Sequence, residues 1–262
     1  MKIQANDIQI NYELSGRDDA PVVMLSHSLA SSLVMWNPQL DSLESKFKVL
    51  RFDTRGHGDS DAPEGKYTLE LLAADAVALM DALAIDAVHF VGLSMGGMIG
   101  QNLALDHGNR LKSLTLCDTA AVMPDEAQPI WQQRIAAARE KGLQDQVAET
   151  LERWFTPEYL SQNSPRVELI RRQILATPVA GYIGCSEAIR DLDNLKRLSE
   201  INLPTLIMVG EEDPGTPVAA SEAMQERIEG SELVVLPAAR HLSNIEQSGA
   251  FNEALMGFLL KY

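Results

Sequence analysis

Val88-His89-Phe90-Val91-Gly92-Leu93-Ser94-Met95-Gly96-Gly97-Met98 is the stretch on which the reading of this chain turns. Val88–Val91 is a short apolar run without alternation, the pattern of a strand buried on both faces. A helical pattern begins at Met98 and continues to Leu105. Between them lies G-x-S-x-G, here Gly92-Leu93-Ser94-Met95-Gly96. A turn this tight forces its central residue into a strained backbone conformation. Small neighbours keep strand and helix from colliding. The serine hydroxyl is thereby exposed at a helix N-terminus, where free N–H groups and the helix dipole favour developing negative charge. A glycine-rich turn with an incidental serine is the plainer reading. The strand before, the helix after and the downstream residues described below favour a nucleophile.

Similar strand-like runs stand on both sides of this turn. Upstream are Val22-Val23-Met24-Leu25 and Val49-Leu50-Arg51-Phe52. Downstream are Leu114-Thr115-Leu116-Cys117, Leu206-Ile207-Met208-Val209 and Leu233-Val234-Val235-Leu236. The N-terminus reads as a hairpin, with Ile3, Ile8, Ile10 and Tyr12 on one face and Asn6-Asp7 in the turn. Helical patterns separate most of these runs. Leu69–Leu83 carries Leu72, Val77, Leu79, Met80 and Leu83 on one stripe, and Thr68 is its expected N-cap. Further helices are expected over Pro217–Ile228 and Phe251–Leu260. The alternation predicts an α/β protein with a mostly parallel sheet and right-handed crossovers.

Between Ala121 and Leu203 no strand pattern appears. The region is rich in Ala, Glu, Gln and Arg and is punctuated by Pro124, Pro129, Pro157, Pro165 and Pro178. It reads as short helices forming a cap, residues 121–203, inserted into a core of residues 1–120 and 204–262. A set of ordinary crossover helices is the alternative, but one crossover needs far fewer residues.

Serine needs a base to take its proton. Of five histidines, His241 lies just past the last expected strand, in a loop that can hang over the sheet's carboxyl edge beside Ser94. His89 lies inside a strand, His107 ends a helix, and His57 follows a strand in a turn, all three reading as structural. The acid that orients the base is expected between serine and histidine in the chain. Asp213 follows the strand before that of His241, and Asp118 ends an earlier strand. Asp213 is preferred, with Glu211 and Glu212 as solvated neighbours. Oxyanion donors are expected from the backbone N–H of Met95 and of Leu29, in the loop after the first parallel strand.

Composition narrows the class. The chain has 262 residues, 45% hydrophobic and 23% charged, which suits one sizeable α/β core. The formal net charge of -15 repels nucleic-acid phosphates and anionic lipid, so neither partner is expected. Two cysteines give no disulfide framework and suggest a reducing, cytoplasmic setting. The polar N-terminus shows no signal-peptide core, and no apolar run approaches the ~18 residues of a membrane span. No metal-ligand cluster is visible, and no cofactor is expected.

The chain resembles the 3-oxoadipate enol-lactonases of the α/β-hydrolase superfamily. The resemblance rests on Ser26-His27-Ser28-Leu29, Phe52-Asp53-Thr54-Arg55-Gly56-His57-Gly58, the Ser94 turn, Leu116-Cys117-Asp118-Thr119-Ala120 and His241-Leu242-Ser243-Asn244-Ile245-Glu246-Gln247. Trp131 with Arg134, and Arg153-Trp154-Phe155-Thr156, extend it into the cap. The pattern differs in having asparagine at the position of His27, glycine at that of Ala30, and a shorter approach to the histidine than Pro237-Ala238-Ala239-Arg240. The resemblance implies an α/β-hydrolase fold with an eight-stranded sheet, flanking helices and a helical cap. It also implies a Ser94–His241–Asp213 hydrolase acting through an acyl-enzyme on a small ester or lactone in aromatic catabolism. Trp131, Arg134 and Trp154 become expected substrate contacts, Arg134 for a substrate carboxylate. A general small-ester esterase, a carbon–carbon bond hydrolase and a slow-turnover ligand receptor with the same residues remain as alternatives.

Overall fold

The structure, a computed structural model, describes residues 1–262. Its strands are β1 (Lys2–Ala5), β2 (Ile8–Gly16), β3 (Val22–Ser26), β4 (Lys48–Phe52), β5 (Val88–Leu93), β6 (Leu111–Cys117), β7 (Thr205–Gly210) and β8 (Glu232–Leu236). They form one sheet in the order β1-β2-β4-β3-β5-β6-β7-β8. The β1–β2 and β2–β4 pairings are antiparallel, and all others are parallel. Asn6 and Asp7 both take positive φ, 45° and 66°, in the two-residue hairpin turn. This is the eight-stranded, mostly parallel sheet that the apolar runs predict. Its central strands β5 and β7 are buried along their whole length, which is why they show no alternation.

Eleven helices accompany the sheet: α1 (Leu40–Glu44), α2 (Leu69–Ala82), α3 (Met95–His107), α4 (Gln128–Lys141), α5 (Val147–Trp154), α6 (Pro157–Ser161), α7 (Pro165–Ala176), α8 (Val179–Arg190), α9 (Val218–Gln225), α10 (Ser243–Glu246) and α11 (Ser248–Leu259). Thr68 caps α2, its side chain accepting from the Leu71 N–H at 3.1 Å. Three boundaries differ from the sequence pattern. The helix after β5 starts at Met95, so Gly96 and Gly97 lie inside it; they are there for close packing, not as breakers. Pro217 precedes α9 in extended conformation, with ψ 162°, and α9 ends at Gln225. The last helix begins three residues before Phe251, at Ser248.

The chain order β4-β3-β5 places a topological switch between β3 and β5, where loops diverge at the carboxyl edge and leave a crevice. Helices α4–α8 form an insertion between β6 and β7. Its neck is a short antiparallel contact. Met123 N donates to Leu192 O at 2.9 Å, and Asn194 N donates to Ala121 O at 2.7 Å. The insertion seats on the core by backbone approach. A Cβ on Gly181 of α8 would fall 1.9 Å from Gly56 O, in the turn after β4. Tyr67 N also donates to Gly184 O at 3.2 Å.

Gly181→Ala is therefore expected to destabilise the protein by roughly 1–3 kcal/mol through overpacking. Thermal unfolding would register this as a drop of about 2–4 °C per kcal/mol. Gly249→Ala serves as control, since nothing lies within 4 Å of its Cβ position; an equal drop there would show that the Gly56 contact is not the cause.

Candidate active site

Ser94 sits between β5 and α3 with φ 56° and ψ -115°, a backbone conformation rare for a residue with a side chain. Such strain costs on the order of 1–3 kcal/mol and persists only where neighbours enforce it. Here the neighbours are backbone. A Cβ on Gly92 would lie 2.1 Å from Gly96 O, and a Cβ on Gly96 would lie 2.2 Å from Ser26 O. Ser94 N donates to Cys117 O at 2.9 Å, and Thr119 Oγ1 donates to Ser94 O at 2.7 Å. The turn is thus clamped against the ends of β3 and β6.

The structure brings three of the predicted residues together. Ser94 Oγ lies 2.8 Å from His241 Nε2, and His241 Nδ1 lies 2.7 Å from Asp213 Oδ2. Asp213 is buried and accepts three more hydrogen bonds: from Gly215 N at 2.8 Å, Thr216 N at 3.2 Å and Thr216 Oγ1 at 2.6 Å. Burial pushes its carboxyl upward, but His241 and these donors outweigh that and hold it below the ordinary carboxylate value. Burial likewise pulls His241 down, yet the Asp213 charge and hydrogen bond lift it above the ordinary 6.5. Trp154 of α5 lies along the imidazole, its ring centroid 6.3 Å away and tilted by 27°.

Asp118 is not bonded to His241. It is fully buried, accepting from Gly210 N at 2.8 Å and from Ser243 Oγ at 2.5 Å. Burial and the nearby Asp213 push its carboxyl well up. The other histidines pack elsewhere. His89 bonds Ser113 and meets the edge of Phe47. His57 accepts from Ala30 N at 3.0 Å, and His27 accepts from Thr54 N at 2.9 Å, both behind the loop after β3. In that loop Ala30 takes φ 57°, where glycine is the comfortable residue. The amides of Leu29 and Met95 have no hydrogen-bond acceptor within the protein.

Ser94, His241 and Asp213 border a cavity of about 290 Å³ between sheet edge and insertion. Leu29, Trp131, Arg134 and Trp154 line it as well. The Arg134 guanidinium lies over the Trp131 ring, 5.2 Å from its centroid, and no acidic side chain bonds it. Gln146, Thr150 and Tyr182, which sequence reasoning missed, also line the cavity, as does Arg153, quoted there only within the cap resemblance. Arg153 pairs with Glu149, and burial together with the Arg134 charge holds its pKa below the ordinary guanidinium range. Thr216 was missed too, although a hydroxyl three residues after Asp213 was the available signal. No group of histidine, cysteine and acidic side chains is placed to hold a metal ion.

The chain belongs to the α/β-hydrolase family: a family model described as alpha/beta hydrolase fold matches residues 21–248. It is a hydrolase of that fold, related to the enol-lactonases. It is 37% identical over 260 residues, 99% of this chain and 96% of the relative, to 3-oxoadipate enol-lactonase 2 of Acinetobacter baylyi. The crystal structure of the enol-lactonase from Burkholderia xenovorans matches with TM-score 0.96 at 37% identity, over 99% of this chain and 100% of the other. That of a hydrolase from Pseudomonas aeruginosa matches with TM-score 0.95 at 39% identity, over 99% and 97%. No helix is long and apolar enough to cross a membrane.

The electrostatics of the imidazole can be checked without any substrate. Followed by NMR, His241 is expected to titrate above 6.5 in the unliganded protein. In Asp213→Asn the burial remains while the principal opposing charge is gone, so the midpoint is expected to fall relative to the parent. An unchanged midpoint in that variant would remove Asp213 as the source of the shift.

Proposed function

We propose that the protein is a carboxylic-ester hydrolase that opens a small lactone bearing a free carboxylate, such as 3-oxoadipate enol-lactone. The observation that carries the reading is Arg134: a guanidinium without an acidic partner, laid over Trp131, on the wall of the cavity that holds Ser94. A protein of net charge -15 repels an anionic substrate at long range, so anion selectivity needs such a local cation. Arginine suits a carboxylate better than lysine because its fork can donate two parallel hydrogen bonds. The kinship with enol-lactonases at 37% identity points the same way.

In this mechanism Ser94 Oγ attacks the lactone carbonyl while His241 Nε2 takes its proton. Asp213 holds the Nδ1–H and stabilises the imidazolium without itself becoming protonated. The N–H groups of Leu29 and Met95 stabilise the oxyanion. Collapse breaks the ring C–O bond, and His241 returns the proton to the leaving oxygen. The acyl-enzyme carries the released enol on the same molecule, where it ketonises. Water, deprotonated by His241, then attacks the acyl carbon. Collapse frees the acid and returns the proton to Ser94. The sum is one lactone and one water to one oxo acid.

Ser94→Ala is expected to leave the fold intact and to lower turnover by several orders of magnitude, as for a nucleophile that acts as part of a unit. Retention of a tenth of the wild-type rate in a pure preparation would reject the mechanism.

Arg134→Ala is expected to raise KM for the lactone strongly, in line with the ~2–5 kcal/mol typical of removing one partner of a hydrogen-bonded charge pair. Hydrolysis of a neutral p-nitrophenyl ester should stay nearly unchanged. Equal effects on both substrates, or none on either, would leave a neutral-ester esterase as the better reading.

A further inference from the structure

Two fully buried histidines face one another behind the Ser28–Ala30 turn, with ring centroids 5.3 Å apart. Burial drives both to the neutral form, His27 to about 4 and His57 to about 3. His27 Nδ1 lies 2.7 Å from Ser28 O, which can only accept, so Nδ1 carries the proton and donates. Its Nε2 accepts the Thr54 N–H. Both bonds require the same tautomer.

Ser28 O and the Leu29 N–H belong to one peptide unit. In a trans peptide these two groups point in opposite directions, and the chain has no cis peptide. Tying Ser28 O to His27 therefore turns the Leu29 N–H to the far side. That N–H has no protein acceptor, and Ser28, Leu29 and Ser94 line the same cavity. A carbonyl that accepts a hydrogen bond also polarises its own peptide, which makes the N–H a better donor. Within the turn itself Ser28 O accepts only from Ser31 N, at 3.3 Å and so longer than the 2.7 Å bond from His27, and Ala30 at φ 57° carries a left-handed penalty of roughly 1–2 kcal/mol.

We propose that His27 is a positioning residue for the oxyanion hole, locking the 28–29 peptide through Nδ1–H to Ser28 O so that the Leu29 N–H meets the oxyanion formed at Ser94. The inference rests on the serine-hydrolase mechanism above. It assigns catalytic weight to a side chain that touches neither substrate nor Ser94.

Two substitutions separate the two bonds of His27. Asparagine keeps an N–H at the position of Nδ1, two bonds beyond Cβ, and lacks a group at the position of Nε2. Glutamine does the reverse, offering its polar atoms one bond further out. With a neutral p-nitrophenyl ester, His27→Asn is expected to keep kcat within about threefold of the parent. His27→Gln is expected to lose about 10- to 100-fold in kcat with little change in KM, somewhat less than outright loss of an oxyanion donor. Affinity for a boronic acid that forms a tetrahedral adduct on Ser94 should fall in parallel with kcat. Thermal unfolding of both variants reports the structural cost separately. Equal losses in both, the reverse order, or a lowered Tm with kcat intact would overturn the inference. If His27→Gln does not fold, a folded His27→Asn with kcat reduced tenfold or more overturns it alone. Ser94→Ala tells the two levels apart: an active Ser94→Ala removes the mechanism itself, whereas an inactive Ser94→Ala beside a fully active His27→Gln removes only the role of His27.

Discussion

A single strained residue organises the site. Ser94 is held at positive φ where β5 and α3 meet in a tight turn, a Cβ at Gly92 falling 2.1 Å from Gly96 O. The clearance at Gly92 and Gly96 leaves room for no side chain, so strand, turn and helix form one rigid unit. The hydroxyl then stands at the carboxyl edge of the sheet and at the N-terminus of α3, where the Met95 amide is unspent. His241 and Asp213 can meet that hydroxyl only because β7 and β8 run parallel to β5 and release their loops at the same edge.

Two aspartates at neighbouring strand ends show how local partners decide chemistry. Asp118 and Asp213 follow β6 and β7, and both are buried. Asp213 has three donors and an imidazole beside it, and its carboxylate is favoured. Asp118 has two donors and Asp213 as its principal charged neighbour, and its ionisation is disfavoured. Asp118 instead ties Gly210 at the end of β7 to Ser243 at the start of α10, the supports on which the Asp213 and His241 loops rest. The same residue type thus serves as a charge in one place and as a brace in the other.

The helical insertion is fastened to the histidine loop as well as to its neck. Leu242 N donates to Trp154 O at 3.1 Å, Glu246 accepts from Thr156, and Arg240 Nη1 donates to Glu152 O. Trp154 was expected only as a substrate contact. It also lies along the His241 ring, so α5 is at once cavity wall and support for the imidazole. The helix that presents Arg153 to the cavity is therefore part of the same packed unit as the imidazole.

Much of this architecture was legible in the chain itself. Unalternating apolar runs marked the buried parallel strands, Asn6-Asp7 marked the hairpin, and the proline-punctuated stretch marked the insertion. Each of these is a local pattern with a local physical cause, solvent exposure or allowed φ. Ser94, His241 and Asp213 could be nominated because each follows a strand, and in a parallel sheet such positions converge on one edge. The true start of α3 escaped, since the glycine-rich stretch read as turn up to Met98; the close packing expected at Gly96 is contact with Ser26, and Gly97 inside the helix packs on Thr119. Chain order admits both Asp118 and Asp213, and the preference for Asp213 rested on its place after the strand next to that of His241. The hydrogen bonds that distinguish them join residues 28 positions apart in one case and 125 in the other. His27 stood out only as a departure from the asparagine of the resembling pattern; its tautomer is set by a carbonyl next door and an amide 27 residues away. Periodicity and turn chemistry act through neighbours in sequence, so the sequence determined the elements and the edge on which they gather. Hydrogen bonds and burial act through neighbours in space, so only the tertiary structure decided which side chains carry charge, which brace the backbone and which face the cavity.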